Sequence, residues 1–168
     1  MIRDKVLLLI KISKKNNLNI SVAESCTGGL LSSSIIEIPG ASDIFNSGFV
    51  TYSNIAKIKH LGVNKDIVKK FGAVSNETSL AMAKGLYKIS KSNLIVSITG
   101  VAGPGGGTLK NPVGTVYFTF GVRQNKKTIT YSTYRHNFKS KNRVGIQKKS
   151  VNYVLDKFIE IARTYKLD

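Results

Sequence analysis

The chain has few of the residues from which catalytic and metal centres are most often built. It carries a single cysteine, Cys26, so no internal disulfide can form and a reducing, cytoplasmic setting is expected. Its two histidines, His60 and His136, are isolated from each other, and acids are sparse, at nine in all. That scarcity argues against a bound metal and against a histidine-based triad. No apolar run approaches the length of a membrane span; "LIVSI" is among the longest. The N-terminal "MIRDKVLLLIKISKK" begins with mixed charge, turns to lysine after a short apolar stretch, and is followed by no small-residue cleavage site. Neither a signal peptide nor a membrane partner is expected. No internal repeat, linker or low-complexity tract interrupts the sequence, which points to one domain over residues 1–168.

The chain does have apolar residues and positive charge. Hydrophobic residues make up 42% of 168, enough to bury a sizeable core. Against the nine acids stand 26 Lys and Arg, a formal charge of +17. The densest segment, 123–149, holds Arg123, Lys126, Lys127, Arg135, Lys139, Lys141, Arg143, Lys148 and Lys149 with no acid among them. A nucleic-acid surface is one reading of this excess. Solvated lysines spread along the whole chain, with little arginine to read bases, is the other and is favoured. Either way, the charge draws phosphorylated small molecules.

Residues 2–16 carry Ile2, Val6, Leu7, Leu9, Ile10 and Ile12 mostly at helical spacing. "LNISVAES" (18–25) reads as a buried strand, and "TGGLLSSSIIEI" (27–38) as a helix stopped by Pro39 and Gly40. A second strand with its exit loop covers 45–54. Two short helices, "NIAKIKHLGV" and "KDIVKKFG", precede a longer one over 75–90 with Ser75 as N-cap. "NLIVSITG" (93–100) is the strongest buried-strand signal, and "VAGPGGGTLKNP" after it is a loop. "VGTVYFTFGV" and "KTITYSTYRHNF" form a hairpin. A final helix over 142–166 has a buried stripe of Val144, Ile146, Val151, Val154, Leu155, Phe158, Ile159 and Ala162. Alternating strands and helices followed by two adjacent strands predict an α/β fold: a mostly parallel sheet with an antiparallel part and helices on both faces.

In such sheets ligands sit beyond the C-terminal ends of the strands. Three polar segments leave strands there: "ESCTGG", "YSNIAK" and "TGVAGPGGG". In the first, Gly28 and Gly29 allow close backbone approach, and a helix starting near Thr27 offers free N–H groups to an anion. The alternative is an ordinary strand-to-helix turn with Thr27 as N-cap; the company of Glu24, Ser25 and Cys26 favours function. Cys26 is a nucleophile or, as buried single thiols more often are, a packing residue. "GPGGG" (103–107) resembles a phosphate cradle in composition only, and Thr99 just before it is a better-placed side chain. Hydrolysis would need a base other than histidine. A desolvated lysine beside a serine can act so, and Lys57 is a candidate, although spacing alone leaves it one surface lysine among many.

Four segments, "AESCTGG", "IPGASDIFNSGFVTYSNIAK", "GAVSNETSLAMAKG" and "ITGVAGPGGGTLKNPVGTVYF", resemble in this order the C-terminal domain of the competence/damage-inducible CinA family, which also stands alone as a nicotinamide mononucleotide deamidase. The resemblance runs from about residue 18 to 120 and is weaker in the last third. It implies a three-layer α/β/α domain with a mixed, mostly parallel five-stranded sheet, commonly a homodimer. It also implies hydrolysis of the carboxamide of nicotinamide mononucleotide to nicotinate mononucleotide and ammonia, with no metal or cofactor. The larger relatives carry a further N-terminal nucleotide-hydrolase domain; on this resemblance the chain is expected to begin at the deamidase-like one.

Carried over by motif, Ser42 is the expected nucleophile, Lys57 its base, and Tyr52 a residue that orients substrate or lysine. Ser25, Cys26, Thr27 and Gly28 are expected to line the pocket. Thr99 and the loop holding Gly103, Gly105 and Gly106 are expected to hold nucleotide or amide, and Arg143 to face the phosphate. For Lys57 to serve as a base, burial or a neighbouring cation must lower its pKa. The sequence departs from the family where a Gly-Asp-Arg step and a second arginine are usual: it has Lys141, Asn142, Arg143 and Gln147. Ser47 stands where many relatives have glycine. A nucleic-acid-binding accessory role and a silent nucleotide-binding domain are the competing expectations.

Overall fold

The structure is a computed structural model that describes residues 1–125 and 128–165. Lys126 and Lys127 of the basic segment, and Lys166 at the end of the expected last helix, lie outside the described residues. The elements run α1 (Ile2–Lys15), β1 (Ile20–Glu24), α2 (Leu30–Ile36), a single 3-10 turn (Ala41–Asp43), β2 (Phe45–Val50), α3 (Asn54–Leu61), α4 (Lys65–Phe71) and α5 (Asn76–Ser90). They continue with β3 (Leu94–Gly100), β4 (Thr115–Arg123), β5 (Ile129–Asn137) and α6 (Arg143–Thr164).

The strands form one sheet in the order β2-β1-β3-β4-β5. β1 lies parallel to both β2 and β3, while β4 runs antiparallel to β3 and β5. Four strands therefore share one direction, the mixed, mostly parallel sheet of the expected three-layer fold. The interior strand β1 is buried throughout, as expected of a buried strand although it carries Ser21 and Glu24, whereas the edge strands β2 and β5 alternate.

Side-chain parity divides the core in two. Ile20, Val22, Leu94, Val96, Ile98, Phe118 and Phe120 pack with α1, α2 and α6. Ala23 and Ile95 face Leu61, Met82, Ala83 and Leu86 of α3 and α5. The α5 side is also polar. Ser79 of α5 bonds the hydroxyls of Ser97 (3.2 Å) and Thr119 (2.8 Å), and Thr119 bonds Thr133 (2.8 Å). These small residues let α5 lie close to the sheet.

Gly85 permits a second close approach. A Cβ there would overlap the Leu61 carbonyl oxygen at the end of α3. Gly85→Ala is expected to destabilise the fold by about 1–3 kcal/mol, because helix backbone must move to admit it. Urea denaturation of the two proteins measures the difference.

Three expectations are corrected. The second helix starts at Leu30, and its N-cap is Gly29 (φ 94°), not Thr27. Gly28 (φ 62°) and Gly29 bend the chain into a turn that the expected helix had absorbed. Val144 is half exposed (51%) because the first turn of α6 overhangs the core, while the rest of its predicted stripe is buried. On α1, Leu7 is exposed and Ser13 takes a buried position instead.

Candidate active site

Ser25 is the first residue beyond β1. Its N–H continues the ladder to the Ile98 carbonyl of β3 (2.9 Å), which seats it at the C-terminal end of the sheet. Lys57 sits in the first turns of α3, a helix begun by Ser53, whose hydroxyl accepts from the Ala56 N–H (3.0 Å). The Lys57 side chain turns inward and is only 1% exposed. Its Nζ donates to Ser25 Oγ (2.9 Å), the Thr51 carbonyl (3.0 Å) and the Tyr52 carbonyl (3.3 Å).

Those three partners define what the amine can do. As an ammonium it satisfies all three oxygens. As a neutral amine it keeps both carbonyl bonds and turns its lone pair toward the Ser25 hydroxyl, the geometry of a base. Burial lowers the Lys57 pKa from 10.5, as a base requires. A negative charge at Cys26 would oppose that shift. However, burial pushes the Cys26 thiol up to about 12, above the opposing pull of Lys57 and Arg143, so the thiol stays neutral.

Cys26 is 4% exposed and packs in the core cluster while bordering the cavity that Ser25 and Lys57 line. Cys26→Ala is expected to keep kcat within about threefold, and the native thiol to resist iodoacetamide until the protein unfolds, measured by mass spectrometry against denatured protein.

Ser25 and Lys57 close the buried end of a cavity of about 300 Å³, and Tyr52, 61% exposed, stands at its open end. Thr99 lines the wall and donates to the Ala73 carbonyl (2.7 Å), which leaves its oxygen able to accept. The glycine loop forms another wall, with positive φ at Gly103 and Gly106 and a cis peptide at Gly103–Pro104. The N–H groups of Ala102, Gly103, Gly105 and Gly106, residues of this wall, have no acceptor among the described residues. Arg143, the first residue of α6, donates to the Gly103 carbonyl (2.8 Å) and to the Tyr52 hydroxyl (2.7 Å). Two of its five N–H donors are thus used, and the guanidinium remains a cation at the mouth.

Of the expected site residues, Ser25, Cys26, Tyr52, Lys57, Thr99, Gly103, Gly105, Gly106 and Arg143 surround this cavity. Ser42 does not. It lies in the 3-10 turn before β2, beside shallow depressions lined by Pro39, Phe45, Asn19 and Asn46. Lys57 follows β2, so the six-residue strand separates the two by roughly 20 Å at 3.3 Å per residue. The hydroxyl beside Lys57 belongs to Ser25. Thr27 and Gly28 also fall outside the cavity: Thr27 is buried with its hydroxyl unpartnered, and Gly28 is exposed at the turn.

Two contributions were missed. The anion at the start of α2 is the chain's own Glu24, whose carboxylate accepts from the Gly29, Leu31 and Ser32 N–H groups. An acid at a strand end just before a glycine turn was the available signal. Gln147 donates to the Cys26 carbonyl (2.9 Å), and Asn142 caps α6 by accepting from the Gly145 N–H (2.9 Å). Of these departures, Gln147 ties α6 to the first turn, while Asn142 caps the start of α6 itself. Ser47 is likewise partnered, bonding Ser21 across the strands (2.9 Å).

No group of three or more His, Cys, Asp or Glu able to hold a metal occurs among the described residues, nor any helix long and apolar enough to cross a membrane.

Residues 4–162 match the family described as the CinA C-terminal domain. A CinA-like protein of Kosmotoga olearia is 49% identical over 121 residues, which cover 72% of this chain and 29% of the relative. A CinA-like protein of Thermotoga neapolitana is 43% identical over 149 residues, 89% of this chain and 35% of the relative. The chain thus spans about a third or less of these relatives. The crystal structure of a competence/damage inducible protein from Agrobacterium tumefaciens superposes with a TM-score of 0.89 at 36% identity, covering 95% of this chain and 94% of that one. A CinA superfamily structure from Klebsiella pneumoniae shares the fold at 24% identity, with a TM-score of 0.90 over 98% and 99% of the two chains.

Proposed function

The chain belongs to the CinA C-terminal domain family, and from that premise and the pocket we propose that it is a nicotinamide-nucleotide amidase, with Ser25 as nucleophile and Lys57 as base. The observation that carries the reading is the buried 2.9 Å contact between Lys57 Nζ and Ser25 Oγ. Neutral Lys57 takes the hydroxyl proton as Ser25 attacks the carboxamide carbon. A tetrahedral intermediate forms, and the unpaired N–H groups of the glycine loop are the candidate donors to its oxygen. Protonated Lys57 then gives its proton to the departing nitrogen; ammonia leaves, and an ester to Ser25 remains. Water, deprotonated by Lys57, attacks that ester; the bond to Ser25 Oγ breaks, Lys57 returns the proton to Ser25 Oγ, and the carboxylate leaves. Arg143 has donors left for the phosphate, and Tyr52, braced by it, offers a ring at the entrance.

Ammonia release from nicotinamide mononucleotide, measured with and without a chelator, tests the reading. Stoichiometric nicotinate mononucleotide in both arms supports it. Absence of turnover, with the folded protein still binding substrate, would leave a silent nucleotide-binding domain.

The charge distribution motivates a second reading. No acid occurs between Thr78 and Leu155, and none of the five ion pairs among the described residues involves that stretch. An acid-free basic stretch is suited to a polyanion such as nucleic acid. Affinity for a single-stranded oligonucleotide that falls steeply with salt, without ammonia release, would favour it.

A further inference from the structure

Glu24 is the last residue of β1 and Ser25 the first beyond it, so strand alternation turns their side chains to opposite faces of the sheet. Ser25 meets Lys57 of α3 on one face. Glu24 meets the start of α2 on the other. The Glu24 carboxylate is fully buried and accepts four hydrogen bonds. Oε2 accepts from the N–H groups of Gly29 (3.1 Å) and Leu31 (3.0 Å), and Oε1 from Ser32 N–H (2.8 Å) and Ser32 Oγ (2.6 Å). It has no ion-pair partner among the described residues, so these donors alone hold its charge. The Glu24 carbonyl accepts from the N–H of Thr51 (2.8 Å), the residue whose own carbonyl holds Lys57.

One residue thus ties both sides of the Ser25–Lys57 contact to rigid elements. Its carboxylate draws the Ser25–Gly29 turn against α2, and its carbonyl holds the strand-exit loop that grips the lysine. We propose that Glu24 is a positioning residue that sets Ser25 Oγ against Lys57 Nζ, an inference that rests on Ser25 being the nucleophile. The turn needs such an anchor because Gly28 and Gly29 impose no conformation of their own. A carboxylate suits the place because all four of its contacts are donors. An amide does not: whichever way it is flipped, its NH2 faces at least one backbone N–H.

The test uses the full chain with Glu24→Gln, Ser32→Ala and, as reference, Ser25→Ala. The readouts are kcat and KM for ammonia release from nicotinamide mononucleotide, and the labelling rate of Ser25 by a fluorophosphonate. The second needs no substrate. Glu24→Gln is expected to lower kcat about 100-fold, the scale of a displacement near 1 Å, with KM within about threefold and labelling slowed in parallel. Ser32→Ala, which removes one of the four bonds and keeps the charge, is expected to lower both rates severalfold. A lowered melting temperature with kcat and labelling per folded molecule unchanged would mean a structural role only and overturn the proposal. If Glu24→Gln does not fold, unchanged rates in Ser32→Ala overturn it. Full turnover by Ser25→Ala would instead defeat the nucleophile assignment, a failure separate from that of Glu24.

Discussion

Ser25→Ala is expected to reduce kcat for amide hydrolysis by at least about 10⁴-fold while leaving substrate binding within a few-fold. The loss is large because the hydroxyl carries the bond-forming step, and members of a nucleophile–base pair fail as a unit. Binding persists because Thr99, the glycine loop and Arg143, which contact the rest of the cavity, are untouched. The companion variant is Ser42→Ala, whose side chain lies at the other end of β2 and is expected to leave kcat within about twofold. Single-turnover ammonia release and calorimetric binding of product separate chemistry from binding. A dead Ser42→Ala with an active Ser25→Ala would reverse the assignment.

Lys57→Met is expected to lower kcat by about 10³–10⁴-fold, the upper range for loss of a general base. Methionine has nearly the lysine's length and leaves no charge to solvate, so the helix can stay packed. The Thr51 and Tyr52 carbonyls lose their donor and the fold weakens modestly. The pH dependence distinguishes the base from a mere binding group. In the native protein kcat rises with pH as the ammonium loses its proton, along a limb whose midpoint lies below 10.5 because burial disfavours the charged form. That limb is expected to vanish in Lys57→Met. Stability follows the same proton. Between the lowered native pKa and 10.5 the unfolded chain holds more protons than the folded one, so stability rises with pH across that window. In Lys57→Met this contribution is gone. Urea midpoints from pH 7 to 10.5 for both proteins check the sign.

Ser42, the nucleophile that the resemblance implied, lies away from the cavity that holds Lys57. The segment "IPGASDIFNSGFVTYSNIAK" contains both Ser42 and Lys57, and the family resemblance implied that they act as a pair. The strand predicted between them already spoke against it, because an extended strand carries its two ends apart. Ser25, 32 positions before Lys57, is its hydrogen-bonded partner. Two parallel strands side by side bring their C-terminal ends together, which places the exit of β1 beside the exit of β2.

Apolar runs, glycine turns and spacing were enough to determine the order of helices and strands, the three-layer fold, and which segments would gather at one end of the sheet. Those properties are local or follow from burying alternating faces, so they can be read along the chain. The tertiary structure alone decided which hydroxyl meets the lysine, that Glu24 rather than a ligand takes the N–H groups of α2, and that Gln147 and Arg143 hold α6 to the pocket. Each of these depends on which side of a strand or helix a side chain leaves from, and on what neighbouring element waits there.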